Sequence, residues 1–114
     1  MTGTIEAVID LARHYEELRA PVRALCAKFP GEYWRAKDRE REYPDEFVRE
    51  LTSAGFLAAM IPEEYGGSGL GVGAGVAILE EIHASGCNAA ACHAQMYTMG
   101  TVLRHGSAEQ KQKY

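Results

Sequence analysis

The sequence predicts an all-α protein, an up-and-down helical bundle, and three observations carry that expectation. Apolar residues step along the first part of the chain at intervals of three and four: Ile5, Val8, Ala12, Tyr15, Leu18, Val22, Leu25 and Phe29. This is the spacing of one buried helical face. Period-two alternation, the mark of a half-buried strand, is nearly absent from the chain. Proline and glycine fall between the apolar stretches, where helices start and stop. At 114 residues the bundle is a single domain with a modest core.

Taken in order, the first apolar stripe predicts a long helix that Pro21 either kinks or splits in two and that Pro30-Gly31 ends. Residues 32–42 are charge-rich around Tyr33 and Trp34 and read as a loop or short helix leading to Pro44. A proline suits a first helical turn, since the amide it lacks would be unpaired there anyway. Asp45 and Glu46 then place negative charge on the positive end of the helix dipole. Phe47, Leu51 and Ala54 repeat at helical spacing, with Val48 on the flank, and Gly55 supplies the left-handed residue that ends a helix. Phe56 is placed to fold back on Leu51. Residues 57–61 are a short apolar run stopped by Pro62, and residues 63–67 read as a tight turn. Residues 66–75 carry six glycines and read as a loop, after which Val76, Leu79, Ile82 and His83 line a helix face up to Ser85-Gly86. A further helix is expected over 88–104, stopped by Gly106, with Ala89, Ala90, Ala91 and Ala94 forming a small-residue surface. Ser107 and Gln110 have the spacing of a capping box that opens a last helix. That helix has only about two turns before Tyr114, too few to be stable alone, so the sequence is expected to be cut from a longer one.

Charge and cysteine usage narrow the function classes. Twelve Lys and Arg against sixteen Asp and Glu give a net charge of −4, which argues against a nucleic-acid surface and leaves no polybasic membrane patch. Cys26, Cys87 and Cys92 are an odd number without framework spacing, as reduced cysteines in a cytosolic compartment would be. Glu6, Asp10, Glu16 and Glu17 make the N-terminus too acidic for a secretory signal or a typical transit peptide. No apolar run approaches the roughly 20 residues that span a bilayer. The expected location is cytoplasmic.

The chemical candidates are few. Gly69, Gly71, Gly73 and Ala74 form a GxGxxA string, but a dinucleotide fingerprint needs a strand just before it and a parallel sheet around it. A flexible helix connection is the better reading. His83, Cys87, Cys92 and His93 lack the tight CxxC or HxxxH spacing of a zinc site, and small core cysteines suit them better. Cys92 and His93 are adjacent and so point to different sides of a helix, which is wrong for a nucleophile and its base. Glu63-Glu64 and Glu80-Glu81 are expected to be solvated or salt-bridged. Tyr33, Trp34 and Tyr43 read as core or contact surface.

Pro44, Leu51, Gly55, the run 61–67 and Gly69-Leu70 together resemble the N-terminal helical domain of acyl-CoA dehydrogenases. Glu80-Glu81-Ile82 match the family's next helix, and Gly106 with the closing run 109–114 match its following helix–turn–helix. The resemblance covers residue 38 to the end, in order and with family-like spacing. It implies that residues 1–114 are an incomplete acyl-CoA dehydrogenase N-terminal-like domain, whose central β domain and C-terminal helical domain are absent. The parent would be an FAD-dependent oxidoreductase of fatty acid metabolism that converts acyl-CoA to trans-2-enoyl-CoA. An electron-transfer flavoprotein would be its acceptor, and a homotetramer its assembly. The family's catalytic carboxylate and most FAD contacts belong to the absent parts, so no catalytic or cofactor-binding residue is assigned here and the fragment alone would be inactive. What the family's N-terminal domain supplies is one wall of the acyl-chain pocket, through the helix at 88–104. The inward pair there is Ala91 with Gln95 or, one register away, Ala89 with His93; alanine at the deeper position would leave room for a longer acyl tail. The alternatives are an acyl-CoA oxidase or a flavin-dependent nitroalkane oxidase or monooxygenase of the same fold, and, from another class, a non-catalytic helical interaction module.

Overall fold

The computed structural model describes residues 15–114, and the expectations for Ile5, Val8, Ala12 and the acidic residues before Tyr15 lie outside the described residues. Among the described residues the chain forms six α-helices, two short 3-10 turns and no strand. The helices are α1 (Glu16–Cys26), α2 (Gly31–Glu40), α3 (Asp45–Ser53), α4 (Val72–Ala84), α5 (Ala90–His105) and α6 (Ala108–Lys113), with the 3-10 turns at Phe56–Ala58 and Glu63–Tyr65.

Helix α1 runs through Pro21 unbroken, and Pro21 lies on an exposed position, where water can replace the amide bond that proline cannot make. It ends at Cys26, before the expected stop at Pro30, because the turn that follows buries Phe29. Pro30 instead caps α2, so the charge-rich segment is a helix and not a loop. Two features hold it helical. Glu32 and the pair Lys37 and Arg39 complement the helix dipole at its two ends. Tyr33 and Trp34 pack edge-to-face in an aromatic group with Phe29 and Phe47, at centroid distances of 4.8–5.2 Å. The Trp34 indole also donates to the Phe29 carbonyl at 3.0 Å.

Pro44 caps α3, whose Phe47, Val48 and Leu51 are buried, and Gly55 follows at φ 86° as the left-handed stop. The 56–70 segment then folds on itself: Gly67 donates to the Pro62 carbonyl at 3.1 Å and Leu70 to that of Ala59 at 2.8 Å. This bend requires glycine at 67, since a Cβ there would overlap the Ile61 carbonyl oxygen. Helix α4 begins inside the stretch expected as a loop, so Gly73 and Gly75 are helical. Gly75 lets Met60 lie on the helix, where a Cβ would stand 2.7 Å from the Met60 sulfur. The buried face of α4 is Ala74, Gly75, Ala77, Ile78 and Ile82, which corrects the expected stripe. Only Ile82 belongs to both: Val76 is 54 % exposed, His83 is exposed and Leu79 is half-buried.

One core joins α1, α3, α4 and α5 through Val22, Phe47, Leu51, Ile78, Ile82 and Cys92. Burial of each large apolar side chain contributes about 1.5–3 kcal/mol. Outside the core, Arg19 Nη1 meets Glu80 at 3.0 Å and Glu81 at 3.4 Å, and Arg23 Nε meets Glu81 at 3.3 Å. The Glu81 carboxyl is held below its ordinary pKa, chiefly by the hydrogen bond from Arg23, with burial opposing. Arg19 pairs with Glu80 near the start of α1, and Cys87 lies beside Cys26 at its end, so α1 and α4 run parallel. Glu80 and Glu81 thus take the expected salt-bridged role, flanking the core that joins these two helices. Among the described residues no helix is long and apolar enough to cross a membrane.

Candidate functional site

Helix α5 carries all four residues singled out as pocket-lining or stands directly beside them. Asn88 Oδ1 accepts from the Ala90 amide at 2.9 Å, which opens the helix one turn after Gly86. Cys92 and Met96 anchor it in the core. Gly106 ends it, and the Ser107–Gln110 capping box is formed, with Gln110 N donating to Ser107 Oγ at 3.1 Å and Ser107 N to Gln110 Oε1 at 2.9 Å. Both ends of α5 are therefore fixed by local hydrogen bonds and its middle by burial.

The two register alternatives fall on opposite flanks of α5. Ala91, half-buried, and Gln95, exposed, face a groove of about 490 Å³ shared with Ala94, Thr98, Tyr43 and Tyr114. His93, exposed, faces α4 across a groove of about 470 Å³ whose walls include Met60, Val76, Leu79, Met96 and Tyr97. Ala89 borders a cleft of about 400 Å³ with His83, Asn88 and His93, but it is only 1 % exposed and offers almost no surface of its own. The structure thus pairs Ala91 with Gln95, and sets His93 apart from them beside α4.

The α4–α5 groove lies between two helices and is open. Val72, Val76 and Tyr97 stand on it at 70 %, 54 % and 59 % exposure. Contiguous exposed apolar side chains of this size mark a surface that something covers. The His93 and Tyr97 rings meet edge-to-face at 5.3 Å, so His93 is placed by an aromatic neighbour one turn away. Arg104 brings a charged side chain to its far end, beside His105. Sequence reasoning missed Tyr97 and Val76. The i, i+4 spacing of His93 and Tyr97 was the available signal.

Other candidates resolve as architecture. Gly71 caps α4 in extended conformation, so a helix does open within the GxGxxA string, but the segment before it is a 3-10 turn and no strand. Cys92 is buried while His93 is exposed, so the two side chains diverge. Among the described residues no group of three or more His, Cys, Asp or Glu could hold a metal ion. A third apolar space, about 100 Å³ between the 3-10 turns and the end of α5, is lined by Ala58, Ile61, Tyr65, Met99 and Leu103 and is small enough to be packing tolerance.

Comparison with known proteins gives the family. The family model for the acyl-CoA dehydrogenase N-terminal domain matches residues 12–114. The chain is 35 % identical over 108 residues to the probable acyl-CoA dehydrogenase fadE25 of Mycobacterium leprae (strain TN), covering 93 % of this chain and 28 % of that protein. It is 34 % identical over 111 residues to the glutaryl-CoA dehydrogenase of Desulfococcus multivorans, covering 92 % and 28 %. It is 31 % identical over 100 residues to the acyl-CoA dehydrogenase FadE12 of Mycobacterium tuberculosis (strain ATCC 25618 / H37Rv), covering 87 % and 26 %. No solved structure matches. The chain spans little more than a quarter of the length of these relatives, and the part it spans is their helical N-terminal region. Its all-α architecture, its 61–70 bend and its match over nearly the whole chain place it in the acyl-CoA dehydrogenase family, as the N-terminal domain.

Proposed function

We propose that this chain is the N-terminal helical part of a flavoenzyme that oxidises acyl-CoA to trans-2-enoyl-CoA, and that α5 forms one wall of its acyl-chain pocket. The observation that carries the reading is the family match over residues 12–114 on a structure that leaves an open apolar groove along α5. Of the two flanks, the α4–α5 groove is the wall, because its exposed Val72, Val76 and Tyr97 need apolar cover. His93 and Tyr97 would bound the acyl tail there, while Ala91 and Gln95 face away.

FAD supplies the hydride acceptor in such an enzyme. The described residues alone do not make a flavin cradle, since the glycine string that could hold a phosphate follows a 3-10 turn and has no sheet beside it. No step is therefore derived through the cofactor. What this chain's residues do is exclude water from the tail and set how much room it has. In a rigid groove one methylene more or less is worth about 1–3 kcal/mol of discrimination. Catalytic base, flavin contacts, the electron-transfer flavoprotein as acceptor and the oligomeric interface would belong to the rest of the protein.

The test is to purify the full-length protein, record its flavin spectrum, and add a straight-chain acyl-CoA without oxygen. Bleaching of the flavin with formation of trans-2-enoyl-CoA is the expected result. A colourless product that cannot be reconstituted with FAD would refute the enzyme reading and favour the interaction module. Hydrogen peroxide formed in air at the turnover rate would move the assignment to the oxidase alternative.

A further inference from the structure

The three thiols lie away from the α4–α5 groove and have no part in that reading. All are free and buried. Cys26 ends α1, Cys87 lies in the turn between α4 and α5, and Cys92 is in the first turn of α5. The Cys87 sulfur stands 3.7 Å from the Cys26 carbonyl oxygen and 3.6 Å from that of Phe29. The Cys87 thiol thus donates to the backbone at the end of α1 and just beyond it. A disulfide needs the two Cα atoms about 4.4–6.8 Å apart, and the Cys87 side chain lies against the Cys26 backbone.

Access distinguishes the two thiols. Cys87, 5 % exposed, borders a polar cleft of about 560 Å³ between the end of α2 and the α4–α5 turn, walled by Trp34, Lys37, Arg41, His83 and Asn88. The turn itself is open backbone, with Gly86 at φ 83° beside Cys87. Cys26 lies behind it at 2 % exposure, and Cys92 is fully buried.

We propose that Cys87 and Cys26 form a thiol–disulfide exchange pair, in which Cys87 attacks a low-molecular-weight disulfide that enters the cleft and Cys26 resolves the product. In the first step the Cys87 thiolate attacks one sulfur of the reagent, a mixed disulfide forms, and one reagent thiolate leaves and takes up the proton Cys87 lost. In the second, the Cys26 thiolate attacks the Cys87 sulfur and the second reagent thiol departs. Two protein thiols and one disulfide thus become one protein disulfide and two small thiols. Burial pushes the Cys26 thiol up to about 12, so the second step quickens with rising pH. The product ties the end of α1 to the turn that opens α5.

The test uses the purified, folded full-length protein incubated with excess glutathione disulfide, followed by alkylation under denaturing conditions and peptide mapping. The expected result is a Cys26–Cys87 disulfide with Cys92 alkylated, and a melting temperature raised by about 5 °C or more that dithiothreitol reverses. Cys26→Ser should stop at a glutathione adduct on Cys87, and Cys92→Ser should behave as wild type. A disulfide that includes Cys92, or none in folded protein whose denatured form oxidises readily, would overturn the proposal. The wild-type map decides this even if a variant fails to fold.

Discussion

Gly67 is held by its neighbours on every side, and Gly71, four residues on, has open space around it. Gly67→Ala forces a methyl into the Ile61 carbonyl, which cannot move without opening the 56–70 bend, so a loss of about 2–3 kcal/mol is expected. Gly71→Ala meets nothing within 4 Å at a negative φ and should shift stability by less than about 0.5 kcal/mol. Urea midpoints of the two variants separate these outcomes. Glu46 makes a second residue-scale prediction. Its carboxylate accepts from the Tyr33 hydroxyl at 2.7 Å, and this bond, its own backbone amide and Lys37 lower its pKa from 4.5 to about 2. Above pH 4.5 the group is charged in both states and its stabilisation is complete; as pH falls toward 2 the unfolded chain binds a proton that the folded chain refuses, and the contribution is lost. Glu46→Gln should therefore flatten the fall in stability across that window while leaving the rest of the acid profile in place.

At the level of elements, α4 shows how tertiary packing selects among several readable faces. Its apolar residues surround the helix almost completely, so periodicity alone could not say which side meets the core. The parallel approach of α1, flanked by Arg19 and Arg23 on Glu80 and Glu81, turns Ile78 and Ile82 inward and leaves Val76 on the groove. Ile78→Ala should cost about 2–5 kcal/mol, and Val76→Ala less than about 0.5 kcal/mol, in thermal or chemical unfolding. Other elements were legible because one local rule governs each. The Ser107–Gln110 box, the left-handed Gly55 and the turn after Pro62 are set by a few adjacent residues. α2 stayed open between loop and short helix, because its helicity rests on Tyr33 and Trp34 meeting Phe29 and Phe47, two of them held outside the segment. The start of α4 was hidden for a similar reason: glycines that read as loop are there to admit partners against the helix, Met60 at Gly75 and Tyr15 at Gly73.

For the whole molecule, fold class and family were legible in the chain, while the choice between flanks of α5 was not. The two pairs stand two residues apart, a rotation of about 200° at 100° per residue, so which flank each occupies could be assigned only once α4 was in place. With it in place, Ala89 closes into the core and His93 joins Tyr97 beside the open apolar groove. This groove is the part of the molecule whose function is proposed here, and the most direct measurement is kcat/KM over a series of acyl-CoA chain lengths in the full-length enzyme. Tyr97→Ala, at an exposed position that leaves the fold intact, should shift preference toward longer or bulkier acyl groups by about tenfold, and Ala91→Leu on the opposite flank should leave the profile unchanged. A profile unmoved by Tyr97→Ala, or one shortened by Ala91→Leu, would contradict the assignment of the α4–α5 groove as the wall of the pocket.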